Sequence, residues 1–263
     1  MSVSRGKFLK ALGKSIPGMV LGGGVTTVAQ KLLGKMAAVS GAPVAKEIAS
    51  PASVANPKRA EIAHDVKSNF ITSGPTDGNR IALTFDDGPT PGVTELILDE
   101  LQRRQLHATF FMIGQRIAAA PDLARRVLAE GHDVGNHTFT HPKLTTLTDA
   151  QVDAEIQKTQ DIIGEVLNHR PAWFRPPYGA LRQNQAGMLV RRDLGIVNWS
   201  VDSHDWSQPG EAKIAGRVLA ETRPGSIILC HDLHRQTANG MGPILDGLIE
   251  RDFAFATLSE LLQ

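Results

Sequence analysis

The sequence predicts an α/β fold built from seven strand–helix units, and two observations support this. From Ile81 onward, short apolar runs suited to buried strands alternate with longer segments of helical period. The units repeat within about 185 residues, a pattern typical of a parallel sheet covered by helices. Both an open doubly wound sheet and a closed but incomplete barrel fit this pattern, and periodicity alone leaves the two alternatives open.

The seven predicted strands are short apolar runs, and a helical pattern follows each of them. The first four strands are predicted at residues 81–85, 108–113, 133–135 and 173–175. The last three are predicted at residues 196–200, 226–230 and 253–255.

The longest predicted helix has the clearest beginning. Thr148 and Gln151 have the spacing of a capping box, and Val152, Ile156 and Ile163 then fall on or near one face. The other helices are predicted to begin near Thr94, Pro121, Asn184, Ala212, Gly242 and Leu258.

The composition is that of a globular protein. Of 263 residues, 41% are hydrophobic and 21% charged, which excludes a collagen-like chain, a wholly disordered chain and a polytopic membrane protein. Cys230 is the only cysteine, so no intramolecular disulfide can form, and its position in a predicted strand indicates inert core packing.

The charge is distributed unevenly along the chain. Residues 1–46 contain seven basic and no acidic side chains, which leaves 21 basic and 27 acidic residues in the remainder. The body is therefore mildly acidic although the whole chain has a formal charge of +1. An acidic body argues against nucleic acid as a partner.

Residues 1–45 are interpreted as a basic leader. Four basic residues precede an uncharged run at 15–30, as in an export signal, and this run is shorter than the ~20 apolar residues that cross a bilayer. We expect no stable membrane span. The leader predicts a location in the cell envelope or outside the cell; the alternative is a basic tail on a cytoplasmic protein. Residues 46–78, rich in Ala, Pro and Ser, are predicted to be a linker, and 79–263 the catalytic domain.

Polar residues follow the predicted strands directly. Asp86 and Asp87 come after the first strand, and His137 and His141 come after the third. Each pair alone could be a turn or a chance pairing. Together they provide the carboxylate and imidazole ligands of a catalytic zinc site with an open coordination position.

Three more polar clusters follow the fourth, fifth and sixth strands. They are Arg-Pro-Pro-Tyr-Gly at 175–179, Asp-Ser-His-Asp-Trp at 202–206 and Leu-Cys-His-Asp at 229–232. Five clusters at five strand ends are difficult to explain as turns, because both candidate architectures bind ligands at the carboxyl ends of their strands.

These clusters, in this order, resemble the motif set of the polysaccharide deacetylase family, the carbohydrate esterases that share the NodB homology domain. Thr-Phe-Asp-Asp-Gly-Pro at 84–89 and His-Thr-x-x-His-Pro at 137–142 are the most specific matches. The resemblance covers residues 79–263. It implies a distorted, incomplete (β/α)7 barrel.

The resemblance also implies roles that the spacing does not assign. It makes Asp87, His137 and His141 the metal ligands and Asp86 the general base, whereas spacing does not rank Asp86 against Asp87. The ligand set fits Zn²⁺, with Co²⁺ or Ni²⁺ as alternatives. Arg175 matches the residue that holds the base.

For protonation of the departing amine, the resemblance points to His231 as the general acid and Asp205 as its carboxylate partner. The backbone N–H of Tyr178 is expected to stabilise the oxyanion. The side chains of Tyr178, Trp206 and Leu229 are expected to line the groove for the sugar and the acetyl group.

The implied activity is metal-dependent removal of N-acetyl groups from N-acetylglucosamine residues of a polysaccharide or oligosaccharide, peptidoglycan or a chitin-like glycan. One alternative is an O-acetyl esterase acting on xylan, since the same groups cleave esters. Another is a catalytically silent carbohydrate-binding relative, which the complete set of motif residues disfavours. The expected partner is an acetylated glycan, and a neutral one suits the acidic body.

Overall fold

The computed structural model describes residues 70–263. The predicted leader and residues 46–69 of the predicted linker lie outside the described residues. Among the described residues, no helix is both long and apolar enough to span a membrane.

Eight strands form one sheet, and all of their pairings are parallel. They are β1 Arg80–Asp86, β2 Thr109–Met112, β3 Asp133–Asn136, β4 Trp173–Phe174, β5 Gly195–Ile196, β6 Val201–Asp202, β7 Ile227–His231 and β8 Ala254–Phe255. The prediction of a single strand at 196–200 is wrong. β5 pairs with β4 and β6 pairs with β7, so the chain leaves one edge of the sheet and enters the other within that stretch.

The sheet is curled, which decides between the two predicted architectures. The strand order is β5-β4-β3-β2-β1-β7-β6, with β8 beside β1. A flat sheet would separate β5 from β6 by ~29 Å, at ~4.8 Å per strand interval. Ile196 and Val201 are only five residues apart, and five extended residues reach ~18 Å at most. The two edges must therefore approach each other, and the incomplete barrel is confirmed.

Eight α-helices follow the strands in the described part of the chain. They are α1 Thr94–Arg103, α2 Gly114–Ala119, α3 Pro121–Ala129, α4 Asp149–Leu167, α5 Gln183–Val190, α6 Glu211–Glu221, α7 Arg235–Ile249 and α8 Leu258–Leu261. The predicted capping box at the start of α4 is present, since Thr148 and Gln151 bond reciprocally.

One predicted helix start is wrong by about two turns. We expected this helix to begin near Gly242. The glycines and Pro243 in this stretch disfavour a helix interior. α7 instead begins at Arg235 and contains Pro243. Met241, Ile244 and Leu245 are buried in the main core, so tertiary packing outweighs the local preference.

Alternation along β1 sorts its side chains between the two faces of the sheet. Ile81, Leu83 and Phe85 pack in the large core between the sheet and the helices, which also contains Cys230 as predicted. Ala82 packs in a second cluster, on the opposite face. Asp86 has the same parity as Ala82, so β1 directs its last side chain toward the inside of the barrel.

The folded body begins before the predicted boundary at Asn79. Ile71 forms a bridge with Val197, just after β5, and Ser73 forms one with Ser226, just before β7. Residues 71–73 therefore belong to the body rather than to a linker. Single bridges carry no periodicity, which is why the sequence pattern did not reveal them.

Candidate active site

Three side chains from two loops meet at the carboxyl end of the sheet. Asp87 directly follows β1, and His137 directly follows β3. The Oδ1 atom of Asp87 lies 3.1 Å from Nε2 of His141 and 3.4 Å from Nε2 of His137. These are the three residues that the family resemblance made metal ligands, and they form a group that could hold a metal ion.

The chemistry of this triad fits a divalent metal. Oδ1 of Asp87 is buried and has no hydrogen-bond partner among the described residues. Nδ1 of His137 donates to the carbonyl oxygen of Arg175 at 2.7 Å. That bond leaves the lone pair of Nε2 facing Asp87, an arrangement typical of metal-binding histidines.

The electrostatics suit the ligand forms of Asp87 and His141, whereas the carboxylates of Asp86 and Asp87 raise the pKa of His137 against the effect of burial. Burial would raise the pKa of Asp87, but the neighbouring imidazoles of His137 and His141 lower it well below its ordinary value. Burial and the neighbouring His137 lower the pKa of His141. An ionised carboxylate and a neutral imidazole are the forms that bind metals.

The backbone around the triad is strained. Asp87, Thr138, His141 and Tyr178 all have left-handed φ angles, of 78°, 67°, 60° and 60°. Such conformations cost ~1–3 kcal/mol each in non-glycine residues and concentrate at functional sites. Tertiary contacts must hold these loops in place.

Glu155 is one of those contacts, and sequence reasoning missed it. Its Oε2 accepts the N–H groups of Phe139 and Thr140 at 2.9 and 2.8 Å, and its Oε1 accepts the Thr140 hydroxyl at 2.9 Å. The carboxylate, carried by α4, thus holds the loop between His137 and His141. No motif marked Glu155, because it lies in an ordinary amphipathic helix.

Asp86 lies beside the triad and is held by Arg175. Nη1 of Arg175 donates to Oδ1 of Asp86 at 2.7 Å, and both side chains are buried. The other oxygen of Asp86 faces the triad, with Oδ2 lying 3.7 Å from Nε2 of His137. One oxygen is therefore fixed, and the other is directed toward the Asp87–His137–His141 triad.

Arg175 is itself held from several directions. Its Nη1 donates to the hydroxyl of Thr84 at 2.8 Å, its Nε to the carbonyl of Val197 at 3.2 Å, and its Nη2 to the carbonyl of Asn198 at 2.9 Å. The guanidinium lies 4.2 Å from the ring centroid of Phe111. This environment fixes the side chain that orients Asp86.

The buried Asp205 and the partly buried His231 form a hydrogen-bonded pair on the other side of Asp86. Nδ1 of His231 donates to Oδ1 of Asp205 at 2.7 Å. Oδ2 of Asp205 accepts the backbone N–H of His231 and the hydroxyl of Thr237, both at 2.7 Å. Burial would lower the pKa of His231, but Asp205 raises it to about 9. The imidazole is thus kept protonated at neutral pH.

The predicted groove residues differ in exposure. Tyr178 is 66% exposed, and its ring packs edge-on to that of His141 with a centroid separation of 4.9 Å. Trp206 is 54% exposed. Leu229 is buried on β7, where alternation places it on the same face as His231. The role of the Tyr178 N–H as an oxyanion donor stays a prediction.

Asp232 is a second residue that sequence reasoning gave no role, although it follows His231 directly. It is fully buried, and its Oδ2 accepts the hydroxyl of Thr94. Burial raises the pKa of Asp232 to about 7. Gly88 needs to be glycine, since a Cβ there would lie 1.9 Å from Oδ2 of Asp232. Asp232 thus packs beneath the loop that carries Asp87.

Comparisons with known proteins agree with this geometry. The family model described as polysaccharide deacetylase matches residues 73–199. A chitooligosaccharide deacetylase from Rhizobium leguminosarum bv. trifolii is 38% identical over 205 residues, covering 73% of this chain and 95% of the relative. This chain belongs to the polysaccharide deacetylase family. The resemblance inferred from the motifs is confirmed.

Two further members of the polysaccharide deacetylase family extend the comparison. The peptidoglycan-N-acetylglucosamine deacetylase PgdA of Listeria monocytogenes is 37% identical over 212 residues, 78% of this chain, which spans only 45% of that relative's length. The crystal structure of a peptidoglycan N-acetylglucosamine deacetylase in complex with a benzamide ligand superposes with a TM-score of 0.73 at 35% identity. That match covers 75% of this chain and 94% of the other, and it supports the curled parallel sheet.

Proposed function

We propose that this chain is a metal-dependent hydrolase that removes N-acetyl groups from N-acetylglucosamine residues of a glycan and releases acetate. One observation carries the proposal. Asp86 and His231 are Cα partners on the neighbouring parallel strands β1 and β7, and the Asp87–His137–His141 triad lies beside them. A carboxylate base and a protonated imidazole at paired positions of neighbouring strands, next to a candidate metal site, are the groups that amide hydrolysis requires.

The metal is proposed to be Zn²⁺, with Co²⁺ or Ni²⁺ as alternatives, held by Asp87, His137 and His141. Family deacetylases are metal-dependent, and the described residues contain this one candidate group. A divalent metal bound there would acidify water and polarise the acetyl carbonyl. Three protein ligands leave a coordination position for the reactants.

Asp86 is proposed to take the proton from the attacking water. Arg175 holds one of its oxygens at 2.7 Å and so fixes the orientation of the carboxylate. The free oxygen faces the triad, where the water would lie. Asp86 would then hold this proton within reach of the reacting centre.

His231 is proposed to donate a proton to the departing amine. Its raised pKa, about 9, keeps the acid form populated at neutral pH. Asp205 orients the ring through Nδ1, so the Nε2–H is the proton available for transfer. The backbone N–H of Tyr178 is proposed to stabilise the oxyanion, and Tyr178, Trp206 and Leu229 to line the groove.

The proposed substrate class is a polymeric or oligomeric N-acetylglucosamine glycan, peptidoglycan or a chitin-like chain. Relatives named for peptidoglycan and for chitooligosaccharides support this class. The exposed rings of Tyr178 and Trp206 offer surfaces on which a sugar can stack. A polymer makes contacts beyond the reacting sugar, and these help to position the scissile amide.

Acetate release from a panel of acetylated glycans, with metal content measured in parallel, tests this proposal. The panel contains N-acetylglucosamine oligomers, peptidoglycan fragments, free N-acetylglucosamine and acetylated xylan. We expect release from the oligomers and fragments, little from the monosaccharide, and loss of release on chelation. Acetylated xylan cleaved with a kcat/KM at least tenfold above every N-acetylated glycan would establish the esterase instead. Full activity without metal would overturn the mechanism.

We further propose that residues 1–45 direct the protein to the cell envelope, where the peptidoglycan deacetylase relatives are expected to act. The basic opening and short apolar run of the leader support this. Residues 1–45 fused to a reporter should carry it out of the cytoplasm of a bacterial host. A reporter retained in the cytoplasm would establish the basic tail instead.

A further inference from the structure

Asp232 is a buried carboxylate that the proposed mechanism does not use. It directly follows His231, the last residue of β7, and it is fully buried. Its Oδ1 atom has no hydrogen-bond partner among the described residues. A buried carboxylate oxygen without a partner destabilises a fold, so the stability of the protein does not explain an acid at this position.

The other oxygen of Asp232 belongs to a chain of hydrogen bonds that leads to the loop after Asp87. Oδ2 accepts the hydroxyl of Thr94, the first residue of α1. The Thr94 hydroxyl in turn accepts the backbone N–H of Thr90 at 2.7 Å. The Thr90 hydroxyl accepts a hydrogen bond from Nη1 of Arg116 at 2.8 Å. Because the Thr94 proton points to Asp232, the lone pairs of that hydroxyl are available to hold the loop through Thr90.

Asp232 also contacts the backbone on both sides of Asp87. Its backbone N–H donates to the carbonyl oxygen of Asp86 at 3.3 Å. Its Oδ2 packs so closely against Gly88 that a Cβ there would lie 1.9 Å away. Asp87, between these two contacts, has a left-handed φ of 78°, a conformation that the surrounding structure must maintain. One residue thus holds the chain before and after the candidate metal ligand.

The place of Asp232 in the chain links this loop to the proposed acid. Asp232 follows His231, and β1 and β7 pair so that Asp86 lies opposite His231. Loss of the Asp232 contacts would therefore free the loop of Asp87 to shift relative to the His231 ring. Small shifts of this kind matter, because groups that act on one scissile bond must be aligned with each other.

We propose that Asp232 is a positioning residue that holds the Asp87 loop, residues 87–93 between β1 and α1, in a fixed place relative to His231. Its carboxylate acts through Thr94 and Gly88 rather than by binding the metal. This inference rests on the proposed function, which makes Asp87 a metal ligand and His231 the acid. It predicts that Asp232 contributes both to metal affinity and to the rate of turnover at saturating metal.

Two substitutions in the full chain break the same hydrogen bond from its two ends. Asp232→Leu replaces the carboxylate with an apolar side chain of similar shape, and Thr94→Val removes the hydroxyl. By competition with a chelator, we expect each variant to bind Zn²⁺ about 10-fold more weakly, as for other residues that support metal ligands. At saturating Zn²⁺ we expect kcat to stay about 10-fold below that of the wild type with KM unchanged, because the loop remains displaced from His231.

Two further variants are the controls. Asp232→Asn keeps an oxygen that can accept the Thr94 hydroxyl, so metal affinity and kcat should stay within about threefold of the wild type. Thr109→Val is matched to Thr94→Val, since the Thr109 hydroxyl is also buried and also accepts a backbone N–H, that of Leu258 at 2.9 Å. Thr109 begins β2 at the opposite end of the sheet, so its variant should lose stability without losing metal affinity.

Amide hydrogen exchange measures the Asp87 loop in the absence of metal and substrate. Backbone N–H groups of residues 87–93 should exchange about 10-fold faster in Asp232→Leu and Thr94→Val than in the wild type. In Thr109→Val they should exchange at the wild-type rate.

Wild-type metal affinity and kcat in Thr94→Val or in Asp232→Leu would overturn the proposal. An equal loss of metal affinity in Thr109→Val or in Asp232→Asn would also overturn it. If Asp232→Leu does not fold, Thr94→Val decides. A wild-type chain that binds no metal and releases no acetate, but whose residues 87–93 exchange faster after Thr94→Val, would contradict the proposed function and leave the positioning role in place.

Discussion

The site has two halves, a metal half formed by Asp87, His137 and His141 and an acid half formed by Asp205 and His231. They differ in whether their buried carboxylate oxygens have hydrogen-bond partners. In the metal half, Oδ1 of Asp87 is buried without a hydrogen-bond partner among the described residues. In the acid half, the Asp205 side chain is fully buried, yet three donors at 2.7 Å from His231 and Thr237 satisfy its two oxygens.

This difference indicates what each half is built to do. A buried carboxylate oxygen without a donor is costly unless something else binds it, and a cation between Asp87 and the two imidazoles would supply that partner. The acid half is complete without a ligand and holds a proton ready for transfer. The metal half should therefore respond to metal, whereas the acid half should respond to pH.

The largest expected effect comes from breaking the metal half. His141→Ala removes one of three ligands, so we expect loss of bound metal and a fall in kcat of more than ~10⁴, beyond the usual contribution of a single acid or base. Metal content and acetate release measured on one preparation check this. His107→Ala is the control, since His107 precedes β2 at the opposite end of the sheet. A His141→Ala protein with normal metal content would remove His141 from the ligand set.

Variants of the proposed acid and base should lose activity while keeping the bound metal. Asp86→Asn and His231→Ala are each expected to lower kcat by ~10²–10⁴, because each removes one proton-transfer group. Metal content should stay at the wild-type level in both variants. Either variant turning over as fast as the wild type would contradict its assigned role.

The pH dependence of activity distinguishes the acid half of the site from the metal half. His231 must be protonated to act as acid, and its pKa of about 9 places the alkaline loss of activity near pH 9. Asp205→Asn removes the charge that raises this pKa, so the alkaline limb should move toward the ordinary value of 6.5. Thr237→Val, which keeps the carboxylate, is the control and should move the limb much less. An alkaline limb that Asp205→Asn leaves unchanged would mean that another group titrates there.

The smallest expected effect concerns the support of the metal loop. Glu155→Ala removes three hydrogen bonds to Phe139 and Thr140, which hold the loop between the two histidines. We expect metal affinity to fall about 10-fold, at the lower end for residues that support ligands, with kcat largely restored at saturating metal. Glu165→Ala, elsewhere on α4, should leave affinity unchanged. A kcat deficit that excess metal does not restore would show that Glu155 acts on something other than metal binding.

The sequence indicated the residues with proposed chemical roles better than the residues that support them. Asp86 ends β1, Asp87 and His137 directly follow β1 and β3, and His141 lies four residues beyond His137. Such positions near strand ends are visible in a pattern of apolar runs. Periodicity did not reveal the curl of the sheet, because it depends on which edges β5 and β6 join. In the sequence, residues 196–200 resembled one continuous strand.

Supporting residues carry no local signal. Glu155 contacts a loop 15 residues earlier in the chain. Asp232, which follows β7, packs against Gly88, which follows β1. Such contacts exist only after the chain has folded. The helix beginning at Arg235 shows the converse, since Gly240, Gly242 and Pro243 disfavour a helix interior and packing overrides that local preference.

The position of a bound metal distinguishes the metal half of the site from the acid half. Crystals of the protein grown with Zn²⁺ should give one anomalous peak within ~2.0–2.2 Å of Oδ1 of Asp87 and Nε2 of both His137 and His141. We expect Asp205 and His231 to keep their mutual hydrogen bond and not to coordinate the metal. A peak coordinated by His231, or no peak at the Asp87 triad with zinc bound elsewhere, would contradict the separation of the site into a metal half and an acid half.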